Sequence, residues 1–331
     1  MEENLCYDLK PARKAFSRVG WALNTVLVAT VVLSLVLDIV LGILIERGIL
    51  SPQSTVLMWL QIILPLYLAF LVGLLILRTV PAQAPERNKM GVKEFLKFLP
   101  ICFFLSYAGS YAGDLLSAIL SGGSAENTVA DLAMDTSPLK VLYMVILAPL
   151  VEEYIFRKQI IDRTVRYGEK VAVLFSALTF GLFHGNLFQF PYAFLVGGVL
   201  AYVYIRTGCL RYTVLYHCIF NFMGAVVAPF VLSLMDEQAL LVLESGVVNA
   251  EYLAAFSKML PAMIISILYT FLILGLMISG LVLLILQLPK LVWKETQAQL
   301  PRGTGGKTAY LNVGMCVFFL LSIVQFVLAL M

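Results

Sequence analysis

Residues 19–45 read VGWALNTVLVATVVLSLVLDIVLGILI, an apolar run interrupted by a single ionisable side chain, Asp38. A helix needs roughly 20 apolar residues to cross about 30 Å of hydrocarbon, and this run exceeds that. It follows a basic N-terminus, but a signal-peptide core is only about 7–15 residues long, so the run reads as a retained helix. Comparable runs recur at roughly 54–77, 95–120, 139–160, 171–188, 191–206, 212–234, 259–288 and 309–331. They are continuous rather than alternating, which excludes a β-barrel. The expected fold is all-α, a polytopic transmembrane helical bundle of about nine spans. The 259–288 run is long enough that it must tilt or protrude.

Composition agrees. Of 331 residues, 61% are hydrophobic and 13% charged, with a mean hydropathy of +0.93. A soluble domain carries about 45–50% apolar and about 25% charged residues, so soluble and disordered classes are excluded. The net charge of +3 and the scattered basic clusters leave no face for nucleic acid. Five cysteines (Cys6, Cys102, Cys209, Cys218 and Cys316) form no C-x-x-C pair, and their odd number argues against a disulfide framework.

The 23 Lys and Arg test the span count. The N-terminus and the second, fourth, sixth and eighth connections take 20 of them, leaving Arg47, Lys140 and Lys258 for the opposite side. By the positive-inside rule the N-terminus is cytoplasmic and the C-terminus external. Residues 1–137 form an N-terminal three-span region, 138–233 a motif-bearing core, and 234–331 an external loop with two C-terminal spans. Residues 121–137 and 236–251 read as flexible acidic loops, and 79–93 and 289–308 as basic linkers. Ser137 and Pro138 form a cap and first-turn pair for the fourth helix.

Ionisable groups at membrane depth cost about 2.5–3.5 kcal/mol on insertion scales and require a reason. Asp38, Asp114, Glu152 and Glu153 lie in predicted spans, as do both histidines of the chain, His184 and His217. For Asp38 and Asp114 structural pairing is expected, although the small, polar S-Y-A-G-S-Y-A-G-D face of Asp114 could line a water path. In L-A-P-L-V-E-E-Y-I-F-R (147–157), Glu153 and Arg157 share a helix face and can pair, whereas Glu152 is rotated by about 100° and points elsewhere. The fifth span places Phe180 and His184 on one face, with Gly181 and Gly185 as a small-x-x-x-small pair for close helix approach. The seventh places His217 and Asn221 at i and i+4. Each feature alone has a structural explanation, an ion pair or an interhelical hydrogen bond. Together, two carboxylates, two imidazoles, an amide and an arginine on three nearby helices supply what peptide hydrolysis needs: an activated water and oxyanion donors.

The ordered motifs E-E-x-x-x-R, F-x-x-x-H and H-x-x-x-N resemble the CAAX-protease and bacteriocin-processing family of intramembrane endopeptidases. The text S-A-L-T-F-G-L-F-H-G-N-L-F-Q-F-P-Y-A-F-L-V-G-G-V-L-A-Y-V-Y-I-R-T-G-C-L between them, with Gly197–Gly198 and the R-T-G turn, resembles it too; the likeness covers roughly 138–225. It implies Glu152 as the base polarising water with His184, Glu153 buttressing the site against Arg157, and His217 with Asn221 holding the oxyanion. Phe180 and Arg157 are structural support. The family has also been described as metalloproteases, which would make Glu152, Glu153, His184 and His217 zinc ligands. The residues themselves favour metal-free catalysis, with no obligatory cofactor and zinc as the alternative. The expected substrate is a membrane-embedded or lipid-anchored protein or peptide, met in the lipid bilayer of a bacterial plasma membrane. The competing readings are a non-catalytic scaffold or bacteriocin-immunity factor, and an ion-coupled transporter using the same cluster. One geometric demand follows. At about 1.5 Å per residue, Glu152 lies about 18 Å from Lys140, His184 about 21 Å from Lys170 and His217 about 9 Å from Arg211. Convergence therefore requires the fifth helix to begin well inside the cytoplasm, or some helices to tilt.

Overall fold

A chain this apolar must satisfy its backbone within helices, because lipid offers no hydrogen bonds. The computed structural model describes residues 8–331, and Cys6 lies outside them. No strand occurs among the described residues. In order, the helices are α1 (Lys10–Glu46), α2 (Thr55–Leu77), α3 (Val92–Ser121) and the short α4 (Thr128–Met134). A composite rod, α5, runs from Pro138–Lys140 to Asp162–Thr164. Then come α6 (Glu169–Phe183), α7 (Phe190–Thr207), α8 (Leu210–Ser233), α9 (Glu237–Glu244) and α10 (Ala250–Gln287). The chain closes with α11 (Gly305–Tyr310) and α12 (Val313–Ala329).

Six of these, α1, α2, α3, α7, α8 and α10, are long and apolar enough to cross a membrane. The other three apolar runs of the sequence form α5, interrupted and charged, and α6 and α12, both shorter. The helical membrane bundle stands, with nine as an approximate span count. The run at 171–188 breaks earlier than its hydropathy indicates: α6 ends at Phe183, His184 caps it, and Gly185 turns the chain at φ +68°, a left-handed conformation that favours glycine. The acidic loops are also more ordered than they read. Asn127 accepts a hydrogen bond from the Ala130 N–H and Asp236 from the Ala239 N–H, each capping a short helix. Ser137 caps α5 as expected, accepting from the Leu139 N–H.

Two apolar cores flank the motif-bearing helices. One joins α1, α2, α6 and α12 around Phe16, Leu23, Phe175 and Phe318; the other joins α3, α7, α8 and α10 around Ile101, Leu200 and Tyr216. Large apolar side chains of α1, α2 and α10 remain exposed in long stripes, a surface suited to lipid. Asp38 is paired on that surface, accepting from Gln61 Nε2 at 2.9 Å. Asp114 is not: it is exposed on α3 and makes no hydrogen bond or ion pair among the described residues. The small face beside it is a packing face rather than a water path, because Gly109 and Gly113 press against the backbone of Tyr192 and Phe188.

The basic linkers are tied down at one end of the bundle. Arg18 donates to the Thr79 carbonyl (2.8 Å), Arg163 to Leu77 (2.7 Å) and the Asn88 N–H to Thr207 (2.8 Å). Ala298 and Leu300 donate backbone N–H groups to the carbonyls of Arg166 and Tyr167, both at 3.1 Å. Glu169, opening α6, pairs with Arg206 and accepts from the Lys294 N–H. The start of α6 thus sits within this loop layer. The R-T-G turn depends on Gly208, at φ +56°, where any Cβ would also collide with the carbonyls of Pro85 and Glu86.

Candidate active site

The two glutamates sit on the α-helical piece Ala148–Glu153, between π-helical pieces at Val141–Leu147 and Tyr154–Ile161. A third π-helical piece, Met223–Val227, follows Asn221 in α8. The first and third are each followed directly by Ala-Pro, Ala148–Pro149 and Ala228–Pro229. A proline ring clashes with the carbonyl four residues earlier, here Val145 and Ala225, both inside the widened turns. Such widened turns are frequent at functional sites.

Adjacent positions on a helix diverge, and the two carboxylates do so. The side chain of Glu153 is 0% exposed and that of Glu152 23%. Glu153 receives a two-pronged contact from Arg157, Nε to Oε2 at 3.0 Å and a terminal nitrogen to Oε1 at 3.2 Å. The other terminal nitrogen of Arg157 donates to Ser176 Oγ at 3.0 Å, and that hydroxyl donates to the Phe156 carbonyl at 2.8 Å. The guanidinium also lies 4.6 Å from the centre of the Phe180 ring, a cation–π contact. Three of the five N–H donors of this buried cation thus meet protein acceptors.

His217 bridges the two glutamates. Its Nδ1 lies 3.1 Å from Glu153 Oε1 and its Nε2 3.7 Å from Glu152 Oε2. Because Glu153 is ionised against Arg157, Nδ1 carries the proton and donates. The Glu152 approach is too long for a hydrogen bond. His184 is held separately: its Nδ1 bonds the Phe180 carbonyl at 2.8 Å, leaving Nε2 free. Phe180 stands between the imidazoles, edge-on to His184 at 4.8 Å and to His217 at 5.9 Å. Glu152, His217 and Arg157 are the charged or titratable groups within electrostatic reach of His184. Asn221 reaches across to α5, donating to the Met144 carbonyl at 2.7 Å.

Glu152, Glu153, Arg157, Phe180 and His217 therefore touch directly, His184 joins through the Phe180 ring, and Asn221 is anchored one turn further along α8. His217 approaches Glu152 at 3.7 Å, and His184, the imidazole the sequence paired with Glu152, also lies within electrostatic reach of it. Sequence reasoning missed Ser176 and Thr213, which faces Glu153. Both lie one turn before a motif residue, in the series Ser176, Phe180, His184 and Thr213, His217, Asn221, so extending the i+4 stripe backwards finds them. It also missed Tyr67, Tyr143 and Tyr192, all within electrostatic reach of Glu152. Nothing in their sequence context marks them.

Zinc ligation fits this arrangement poorly. His184 Nε2, His217 Nε2 and Glu152 are the free donors of a two-histidine, one-carboxylate set, and each far imidazole nitrogen has an orienting partner. Yet no three His, Cys, Asp or Glu among the described residues converge at ligand spacing. Glu153, one of the four ligands expected from sequence, has its oxygens engaged by Arg157 and His217. No chemical step is routed through a metal.

The fold and this cluster define a helical membrane protein with a buried glutamate–arginine–histidine network and one carboxylate left open. Residues 135–223, the motif-bearing core, match the family model described as "Type II CAAX prenyl endopeptidase Rce1-like". A Bacillus subtilis (strain 168) protein named "Putative membrane peptidase YdiL" is 30% identical over 159 residues. That stretch covers 45% of this chain and 64% of the relative. No solved structure matches.

Proposed function

We propose that this protein is an intramembrane endopeptidase cutting a peptide bond in a membrane-embedded or lipid-anchored protein or peptide, without an obligatory metal. The observation that carries the reading is the asymmetry of the glutamate pair: Glu153 fully bonded, Glu152 partly open beside His217 Nε2. Glu152 takes a proton from a water held against it, with His184 Nε2 as the second acceptor. The hydroxide oxygen attacks the carbonyl carbon. His217, held through its Nδ1–H by Glu153, donates to the developing oxyanion from Nε2 when that nitrogen also carries a proton. Asn221 has one amide N–H left after bonding Met144 and supplies the second donor. Glu152 then passes its proton to the leaving amine nitrogen, and the C–N bond breaks. Holding donors in place before charge develops is where such a site gains most of its rate.

The membrane setting and the CAAX-type family match support a substrate tethered to lipid. The test is cleavage of a membrane-tethered reporter peptide by the purified full chain in lipid nanodiscs, wild type beside Glu152→Ala. Cleavage by the wild type alone supports the reading. Equal cleavage by both contradicts Glu152 as the base, and cleavage by neither across lipid-anchored and transmembrane reporters contradicts the peptidase reading and favours the non-catalytic scaffold.

A further inference from the structure

At the basic end of the bundle a cavity of about 390 Å³ opens between the start of α1, the α2–α3 connection and the turn after α5. That volume lies within the roughly 300–1,000 Å³ of small-ligand sites. Its walls include Lys14, Arg18, Val80, Pro81, Arg166 and Tyr167. Three cations thus converge from two distant segments. Among the described residues the one acid in the lining, Asp8, already accepts from the Lys10 N–H at 3.0 Å. Among the described residues neither Lys14 nor Arg166 has a carboxylate within ion-pairing distance. Arg166 Nε is buried with no hydrogen-bond partner. An unmet buried guanidinium donor is costly, and a phosphate oxygen is a matched acceptor for it.

A neighbouring cavity provides the contrast. Arg166 also lines a second space of about 240 Å³, shared with Glu86, Glu169, Arg206 and Lys294. There the cations are answered within the protein, Arg206 by Glu169 and Lys294 by Glu86 at 3.8 Å. Of these two cavities the first holds an excess of positive charge among its described residues.

From this geometry we infer that the first cavity binds a phosphate group, and that its source is the headgroup of an anionic phospholipid. The choice of lipid over free phosphate rests on α1. Lys14, Arg18, Trp21, Thr25, Val28 and Val32 fall at i+3 and i+4 spacing along one face. Beyond the two cations that face is apolar and open, with Trp21 44%, Val28 53% and Val32 52% exposed. A phosphate held by Lys14, Arg18 and Arg166 leaves its acyl chains to run along this stripe, with Trp21 at headgroup level. Basic pockets between membrane helices hold anionic headgroups in this manner. The consequence reaches the active site. The turn carrying Arg166 ends α5, the helix of Glu152 and Glu153, and is pinned by Ala298 and Leu300. Binding there fixes the end of the catalytic helix.

The test uses the purified full chain in neutral detergent, following its thermal unfolding midpoint against short-chain phosphatidylglycerol, short-chain phosphatidylcholine and inorganic phosphate. The expected result is a saturable rise with phosphatidylglycerol and none with phosphatidylcholine. The apparent affinity should fall about tenfold or more in Arg166→Gln, the 1.4 kcal/mol equivalent of one charge-assisted contact, and fall measurably in Lys14→Gln. Lys14 is exposed, so its variant folds even if Arg166→Gln does not. Equal shifts with both lipids, or a phosphatidylglycerol shift unchanged in both variants, would overturn the site. A variant-sensitive shift with inorganic phosphate but not with phosphatidylglycerol would support the phosphate site and overturn the lipid as its source.

Discussion

Glu153 and Glu152 are neighbours in the chain, yet they occupy regions built in opposite ways. Around Glu153, the side chains of Arg157, Ser176, Phe180 and His217 form a closed set of protein contacts, and Glu153 itself is 0% exposed. Around Glu152 the contacts are loose: one approach from His217 at 3.7 Å, three tyrosines within electrostatic reach, and an exposed edge. A closed network fixes geometry and leaves no room for a substrate. An open carboxylate has room for water and a peptide but needs something rigid to hold it. The difference separates scaffold from chemistry across a single peptide bond.

Breaking the closed region should have the largest effect on folding. Arg157→Ala strands Glu153 as a buried, unpaired charge, and such losses cost about 3–5 kcal/mol. The thermal unfolding midpoint in detergent should collapse and the yield fall. A variant as stable as wild type would show that the network is not structural. Ser176→Ala comes next, because it leaves an Arg157 donor and the Phe156 carbonyl without their shared hydroxyl. A loss of about 1–3 kcal/mol is expected, read from the same unfolding curves. The smallest effect lies outside the membrane. The Lys258 ammonium and the Ala239 N–H hold the Asp236 carboxyl below the usual carboxylate range. A carboxyl with a depressed folded-state pKa contributes stability above its unfolded pKa, and loses it as pH falls through the folded value. Amide exchange in Glu237–Glu244 should therefore quicken at acidic pH and be insensitive to pH-linked loosening near neutrality, after correction for intrinsic exchange.

Much of the closed region was legible because its signals are periodic. Glu153 with Arg157, Phe180 with His184 and His217 with Asn221 each obey i+4 spacing, and Ser176 and Thr213 extend the same stripes. The open region was less legible. Tyr67, Tyr143 and Tyr192 come from three helices, and only packing brings them within electrostatic reach of Glu152. The pairing of Glu152 with His217 depends on how α8 enters beside α5, which no spacing encodes. At fold level, hydropathy located the apolar runs but not the left-handed turn at Gly185, nor the small helices capped by Asn127 and Asp236. The charge pattern goes further than hydropathy: the structure ties to one end the segments that carry most of the basic residues. If that end is cytoplasmic, cysteines placed in 121–137 should label only from the external side. Labelling from the cytoplasmic side would reverse the orientation.

The division of labour between the two glutamates is tested most directly by paired measurement of Glu152→Gln and Glu153→Gln, recording unfolding midpoint and single-turnover cleavage of a membrane-tethered peptide for each. Glu152→Gln should keep the wild-type midpoint and lose about 10²–10⁴-fold in cleavage rate, as expected for removal of a general base. Glu153→Gln should lower the midpoint, since Arg157 and His217 lose their charged partner. The account is contradicted if Glu152→Gln retains more than about a tenth of wild-type activity, or if Glu153→Gln is the stable variant and Glu152→Gln the unstable one.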